Sequence, residues 1–325
     1  MQAAQPIARA VRSICGRDTA GVVLSVAIIA TACFILFELL RDVDVGKVRA
    51  ALQATPARAI VVAGLLIAAS YVTLTFYDIF ALRAIGQTHI PYRVAAFTGL
   101  LAYAIGHSLG ATVLTGGAIR FRIYRAWGLT LVDVAKVAFL TGFTFWLGNA
   151  FVLGVSVACI PDAAGSVSQL PPWLNRAIAM TTLALIACYL IWLIPRPRTI
   201  GRDDWAITLP SAPLTLIQIG IGAADMALAA LAMNVLVSAH ASVDAATLMV
   251  TFVIAALLGF ASHAPGGLGA LDAAMLIGLK QVEKEPLLAA LLIYRALYFV
   301  LPFCVAIVAL ALRELWTTMK ALLRS

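Results

Sequence analysis

Long apolar runs alternate with short polar connectors along the chain, and the runs set its architecture. Continuous apolar stretches fall at 20–40, 59–82, 94–117, 134–158, 176–194, 213–237, 247–279 and 287–311. Most are about 20 residues long, what a helix needs to cross the hydrocarbon core of a bilayer. They are continuous rather than alternating, which argues against a β-barrel. Two are not uniform. The third breaks at "GHSLGATVLTGG", and the unusually long seventh carries "SHAPGGLG" in its middle. Glycine and proline in such density interrupt a helix. Both stretches are read as broken, re-entrant hairpins that enter and leave on one side. The expected fold is an all-α polytopic membrane protein of about six full transmembrane helices plus the two hairpins.

Composition agrees. Of 325 residues, 63% are hydrophobic and 12% are charged, where a soluble domain carries about a quarter charged residues. The net charge of +8 raises nucleic acid as a partner, but the positions of the charges argue against it. The basic residues sit in the connectors, as the positive-inside bias requires, and they suit contact with anionic lipid. With both broken stretches as hairpins, 83–93 (Arg83, Arg93) and 118–136 (Arg120, Arg122, Arg125, Lys136) fall inside. The loop 159–175, without Lys or Arg, falls outside. The loop 196–202 is inside, 239–246 outside, and the tail with Arg313, Lys320 and Arg324 inside. The loops 41–58 and "KQVEKEP" fit less well, since both would be outside. The first run is too long for a signal-peptide core and no cleavage site follows it, so it is read as a retained span. The expected organisation is a basic cytoplasmic segment at 1–19, a transmembrane domain at 20–311 and a short cytoplasmic tail at 312–325, with both termini cytoplasmic. The cysteines (Cys15, Cys33, Cys159, Cys188, Cys304) show no metal or disulfide spacing.

The two broken stretches resemble each other. Each has a glycine four residues after an alanine (Ala102 to Gly106, Ala255 to Gly259), then a histidine (His107, His263), a glycine cluster and a charge (Arg120, Asp272). One would enter from the cytoplasm and the other from outside, as in an inverted repeat whose broken helices meet near the midplane.

In the first cluster, Gly106, Gly110, Gly116 and Gly117 would permit a tight turn and leave amides facing an anion. Helix packing of the GxxxG kind is the competing reading for Gly106 and Gly110. His263, Pro265, Gly266, Gly267 and Gly269 form the second cluster, which lacks a dinucleotide fingerprint. Asp78, Asp225, Asp272 and Arg295 stand in or near apolar segments, with Arg120 at the edge of the first hairpin. Such charges pair or line a polar path. The candidate pairs are Arg120 with Asp78 or Asp272, and Arg295 with Asp225 or Asp272. Structural pairing and a substrate or proton path both remain open. No catalytic constellation, metal site, cofactor site or Walker motif is picked out, so the chain is not read as an enzyme.

"GHSLGATVLTGGAIRFRIYRAWGL", "GAADMALAAL", "HAPGGLGALDAA" and "LLIYRALYFVLP", in this order, resemble the transmembrane, flippase-type domain of the lysylphosphatidylglycerol synthase family. That family includes the multiple peptide resistance factors and shorter membrane proteins with the same domain. The resemblance covers roughly 20–311 and implies lipid handling in a bacterial cytoplasmic (inner) membrane. In full-length members the membrane domain moves aminoacylated phosphatidylglycerol to the outer leaflet, and a soluble domain transfers lysine or alanine from aminoacyl-tRNA. The chain is expected to lack that soluble domain. Carried over by motif, the substrate-binding positions are Gly106, His107, Thr115, Gly116, Gly117, Arg120 and Arg122, then His263, Gly266, Gly267, Asp272, Tyr294 and Arg295. Asp78 and Asp225 complete a polar path or ion pair. The expected function is translocation of an anionic or aminoacylated phospholipid. The alternative is a non-transporting membrane module that binds a phospholipid-synthesis or aminoacyl-lipid enzyme. Membrane phospholipid, such an enzyme and a second copy of the chain are the expected partners.

Overall fold

A computed structural model describes residues 44–110, 112–195, 198–201 and 206–322. The expected first span at 20–40 and the segment 1–19 lie outside the described residues. The chain begins with α1 (Val45–Ala54), capped by Asp44, whose side chain accepts from the Gly46 and Lys47 amides. Then come α2 (Ala57–Ala84), α3 (Tyr92–Leu109), α4 (Thr112–Tyr124) and α5 (Leu131–Cys159). A capping box between Thr130 and Asp133 starts α5. The connector 159–175, expected as a plain loop, folds into α6 (Pro161–Ser168), with Pro161, Ala163 and Ala164 buried. α7 (Pro172–Leu193) follows, and then a two-residue antiparallel ladder, β1 (Thr199–Ile200) with β2 (Ile207–Thr208). α8 (Ala212–Ser238), α9 (Ala245–Ala261), α10 (Ala270–Gly278), α11 (Lys284–Arg295) and α12 (Leu301–Leu322) complete the chain. A five-residue π turn, Ala296–Val300, joins the last two.

Among the described residues, α2, α5, α7, α8 and the joined α11–α12 are long and apolar enough to cross a membrane. α7 and α12 turn large apolar side chains outward, among them Ile178, Leu185 and Ile191 on one and Val305, Val308 and Leu312 on the other. In water such surface would be unstable; in lipid it is the expected exterior.

Four shorter helices pair as two hairpins, α3 with α4 and α9 with α10. α3 has 18 residues, about 27 Å of helix, and α4 has 13, about 20 Å. α9 and α10 have 17 and 9 residues, about 26 and 14 Å. α3 stops at Gly110, whose φ of +83° reverses the chain while its amide caps the Gly106 carbonyl. The second reversal runs through His263 (φ 55°), a 3₁₀ turn at Pro265–Gly267, and Gly269 (φ 83°). Three of the long apolar helices, α5, α7 and α8, separate the two hairpins along the chain. Their tips meet: a Cβ on Gly110 would lie 2.3 Å from the His263 carbonyl oxygen and 2.9 Å from the Pro265 nitrogen. Only glycine fits there. The reversal in the first hairpin is made by Gly110; Thr115, Gly116 and Gly117, read in the sequence as part of the turn, lie inside α4.

Small residues and freed carbonyls hold the spans together. α5 crosses α8 at Gly148 and Gly222, so closely that a Cβ on Gly148 would stand 2.7 Å from the Gly222 Cα. Pro302 has no N–H for the carbonyl four residues back, that of Tyr298, and the Tyr71 hydroxyl donates to this oxygen at 2.9 Å. One residue on, the Phe299 carbonyl accepts from the Ser108 hydroxyl at 3.1 Å. Thus α2 supplies the hydrogen bond that the proline leaves open, and α3 adds one at the next carbonyl.

Candidate functional site

Above the tip contact lies a cavity of about 360 Å³. Tyr103 and His107 reach it from α3, Arg120 from α4, Phe145 from α5, and Phe260 and His263 from the second hairpin. His107 is 6% exposed, and its Nδ1 is buried without a hydrogen-bond partner. The rings of Phe260, Tyr103 and Phe145 surround it at 5.2, 5.4 and 6.1 Å. Leu114 and Trp146 border the cavity and are 77% and 47% exposed. The opening between α4 and α5 is therefore apolar, and the interior holds the polar atoms.

Arg120 is 4% exposed and faces this cavity with its charge already paired. Its Nε donates to both carboxylate oxygens of Asp78 at 3.1 and 3.0 Å, and Nη2 donates to Oδ1 at 2.7 Å. Tyr124, one turn after Arg120, donates to Asp78 Oδ2 at 2.7 Å. The guanidinium lies over the Tyr103 ring, 5.3 Å from its centroid. The second hairpin is anchored in the mirrored sense. Its exit arm α10 carries the anion, Asp272, and the following span carries the cation, Arg295. Arg295 Nη2 donates to Asp272 Oδ2 at 2.7 Å, Nε to Oδ1 at 3.3 Å, and Nη1 to the Gly266 carbonyl at 3.0 Å. Asp272 Oδ2 also accepts the Gly269 amide at the start of α10. Each hairpin is thus tied to a neighbouring span by an ion pair, buried for Arg120 with Asp78 and half-buried for Arg295 with Asp272. The other pairings open in the sequence, Arg120 with Asp272 and Arg295 with Asp225, do not form.

Asp225, in α8, is 3% exposed. Its Oδ1 accepts from the Ser70 hydroxyl of α2. It borders a second, small void of about 10 Å³ together with Tyr294 and Tyr298. Phe145, Gly259, Phe260 and Gly267 line both this void and the larger cavity.

Of the positions singled out in the sequence, His107, Arg120, His263 and Gly267 line the larger cavity. Gly116 is buried behind Arg120, where a Cβ would come within 3.2 Å of Nη1 and 3.3 Å of the Ala102 carbonyl. Thr115 and Gly117 are half-buried on α4, and Arg122 is exposed on its last turn, away from the cavity. Gly106 is part of α3, and its carbonyl accepts the Gly110 amide. Gly266, Asp272, Tyr294 and Arg295 cluster around the second ion pair and the small void. Tyr103, Tyr124 and Ser70 were missed, although spacing flagged the first two. Tyr103 precedes His107 by four residues and Tyr124 follows Arg120 by four, so each pair shares a helix face. Ser70 carries no such signal, because it meets Asp225 from another span.

Residues 106–110, Gly-His-Ser-Leu-Gly, also match the GxSxG pattern of serine hydrolases. The context is wrong for a nucleophile: no strand precedes it, and Ser108 lies within α3 with its hydroxyl turned to the Ala104 and Phe299 carbonyls. Among the described residues, no group of three or more His, Cys, Asp or Glu could hold a metal ion.

No protein-family model matches the chain. An uncharacterised protein of Synechocystis, slr0712, is 31% identical over 249 residues, 76% of this chain and 76% of that protein. Inner membrane protein YbhN of Escherichia coli is 27% identical over 260 residues, 77% of this chain and 78% of its own length. A shorter stretch, 64 residues or 19% of this chain, is 45% identical to phosphatidylglycerol lysyltransferase of Staphylococcus haemolyticus and covers 8% of that protein.

Proposed function

Since the chain belongs to the lysylphosphatidylglycerol synthase-like membrane-domain family, we propose that it moves an anionic or aminoacylated phospholipid between the leaflets of the bacterial inner membrane. The head group would occupy the cavity above the hairpin tips. One observation carries this reading: the unpartnered Nδ1 of His107, buried at membrane depth in a cavity that also receives the Arg120 guanidinium. An unmet buried polar atom costs about 1–3 kcal/mol, and a phosphate oxygen would meet it. Asp78 neutralises Arg120 and orients it, so the arginine offers directed N–H dipoles rather than a bare charge. The apolar rim at Leu114 and Trp146 suits a ligand whose acyl chains stay in the bilayer while its head group enters sideways. The name of the staphylococcal relatives, a lysyltransferase acting on phosphatidylglycerol, points to that lipid class. On this reading the first hairpin enters from the cytoplasmic side, and both termini are cytoplasmic. Movement is not driven by nucleotide hydrolysis within this chain.

Reconstitution into liposomes with labelled phosphatidylglycerol tests the proposal. The parent protein should speed transfer between leaflets, and His107→Leu should slow it about tenfold, the worth of one charge-assisted hydrogen bond. A parent without activity sinks the translocator reading. A His107→Leu variant as fast as the parent removes the cavity from it.

A further inference from the structure

The three buried carboxylates at membrane depth are not equivalent. Asp78 and Asp272 each face an arginine at 2.7 Å. Asp225 is held by a serine hydroxyl. We infer that Asp225 is a proton-binding site linked to the head-group cavity, and that it takes up one proton when an anionic phosphate enters. The inference rests on the head-group reading above.

Among the described residues, no cation pairs with Asp225 to fix its charge. Tyr294 of α11 and Tyr298 of the π turn line the void with it, and the Tyr71 ring of α2 packs on Tyr298 at 5.7 Å. The nearest cations on these elements, Arg120 and Arg295, are committed to Asp78 and Asp272. α5 and α9 contribute Phe145 and Phe252 to the void beside it. His107 and His263 are the remaining titratable side chains, both on the cavity side. The void has the space of about one water, enough to deliver a proton but not a hydrated ion. The α2 hydroxyls of Ser70 and Thr73 both reach the carboxylate; the proton arrives from water and returns to water, with no other bond changed.

The link to the lipid is electrostatic. Phe145 and Phe260, with ring centroids 5.1 Å apart, stand between the void and the larger cavity. A phosphate on one side of this wall and an ionised carboxylate on the other repel across a layer of low dielectric. Lipid binding therefore favours the protonated acid, and the acid favours lipid binding by the same factor. An anionic head group and a proton then move together as a neutral pair.

Calorimetric titration of the purified full-length protein with short-chain phosphatidylglycerol, in buffers of unlike ionisation enthalpy at one pH, decides the point. The parent's heat should vary with buffer in the sense of up to one proton taken up. Asp225→Asn keeps the Ser70 hydrogen bond; it should bind the lipid with a buffer-independent heat. His107→Gln should bind about tenfold more weakly yet keep the buffer dependence. If the parent binds lipid with the same heat in every buffer, the proton link is overturned and the head-group site stands. If proton uptake survives Asp225→Asn and vanishes in His107→Gln, the proton belongs to the histidine and the inference fails. Absence of any lipid binding removes the head-group reading, and this one with it.

Discussion

Arg120 shows how much of a buried charge is spent on holding the fold. Its bidentate contact with Asp78 joins the exit arm of the first hairpin to α2. Removing one partner strands the other at membrane depth, at a cost of about 3–5 kcal/mol. Arg120→Ala should therefore lower the thermal unfolding temperature and the yield sharply. Asp78→Leu combined with Arg120→Leu should recover most of that stability while lipid transfer stays low. If the double variant is as unstable as the single, charge stranding is not the cause. The candidate members of both ion pairs could be named from the sequence, because a charged residue in an apolar run is conspicuous. Their partners could not, since Asp78 and Asp272 are equally suited to an arginine until the spans are placed. Outside the membrane, His240 accepts or donates across 2.9 Å to Thr55 at the end of α1. Burial holds its imidazole below the usual range, so the unfolded chain binds the proton first. The stability this contributes is present above about pH 6.5 and is lost as pH falls through the lower folded value. Unfolding of the parent should become easier on acidification through that window, and His240→Gln should flatten that part of the profile.

At the scale of elements, the hairpins were legible because glycine, proline and charge interrupt runs that are otherwise uniform. Which glycine turns the chain was not legible. Gly110, Gly116 and Gly117 look alike in sequence, yet only Gly110 has positive φ and a neighbouring backbone in its way. Gly110→Ala should abolish lipid transfer and lower the unfolding temperature, while Gly117→Ala, with nothing within 4 Å of the added carbon, should leave both near the parent's. Equal effects at the two sites would show that the tip contact is not what matters. Two other elements escaped the sequence reading for different reasons. α6 is too short and too mixed in composition to stand out from a loop. The π turn had a signal in Pro302, but that Tyr71 answers the carbonyl it frees, and that Ser108 bonds the next one, depends on contacts between distant parts of the chain.

For the whole molecule, the count of crossings puts the loop around Gly201 and the loop around Ser242 on opposite sides of the membrane. In a chain with its five cysteines replaced, an impermeant thiol reagent added outside intact cells should label Ser242→Cys. It should reach Gly201→Cys only after the membrane is opened. Labelling of Gly201→Cys but not Ser242→Cys from outside would mean that the first hairpin crosses completely, and labelling of both would mean that α8 does not cross. The meeting of the tips at Gly110 and His263 also has an electrical meaning. On the head-group reading a lipid crosses beside this contact, and there a membrane potential acts on whatever net charge it carries. A lone anionic head group passing that point would meet about 2.3 kcal/mol per 100 mV, whereas one accompanied by a proton on Asp225 would carry no net charge through it. Lipid transfer by the parent should then be indifferent to an imposed voltage, and transfer by Asp225→Asn should speed or slow with its sign. The single backbone contact that excludes a side chain at Gly110 would be the place where the protein and the membrane field act on the same few ångströms.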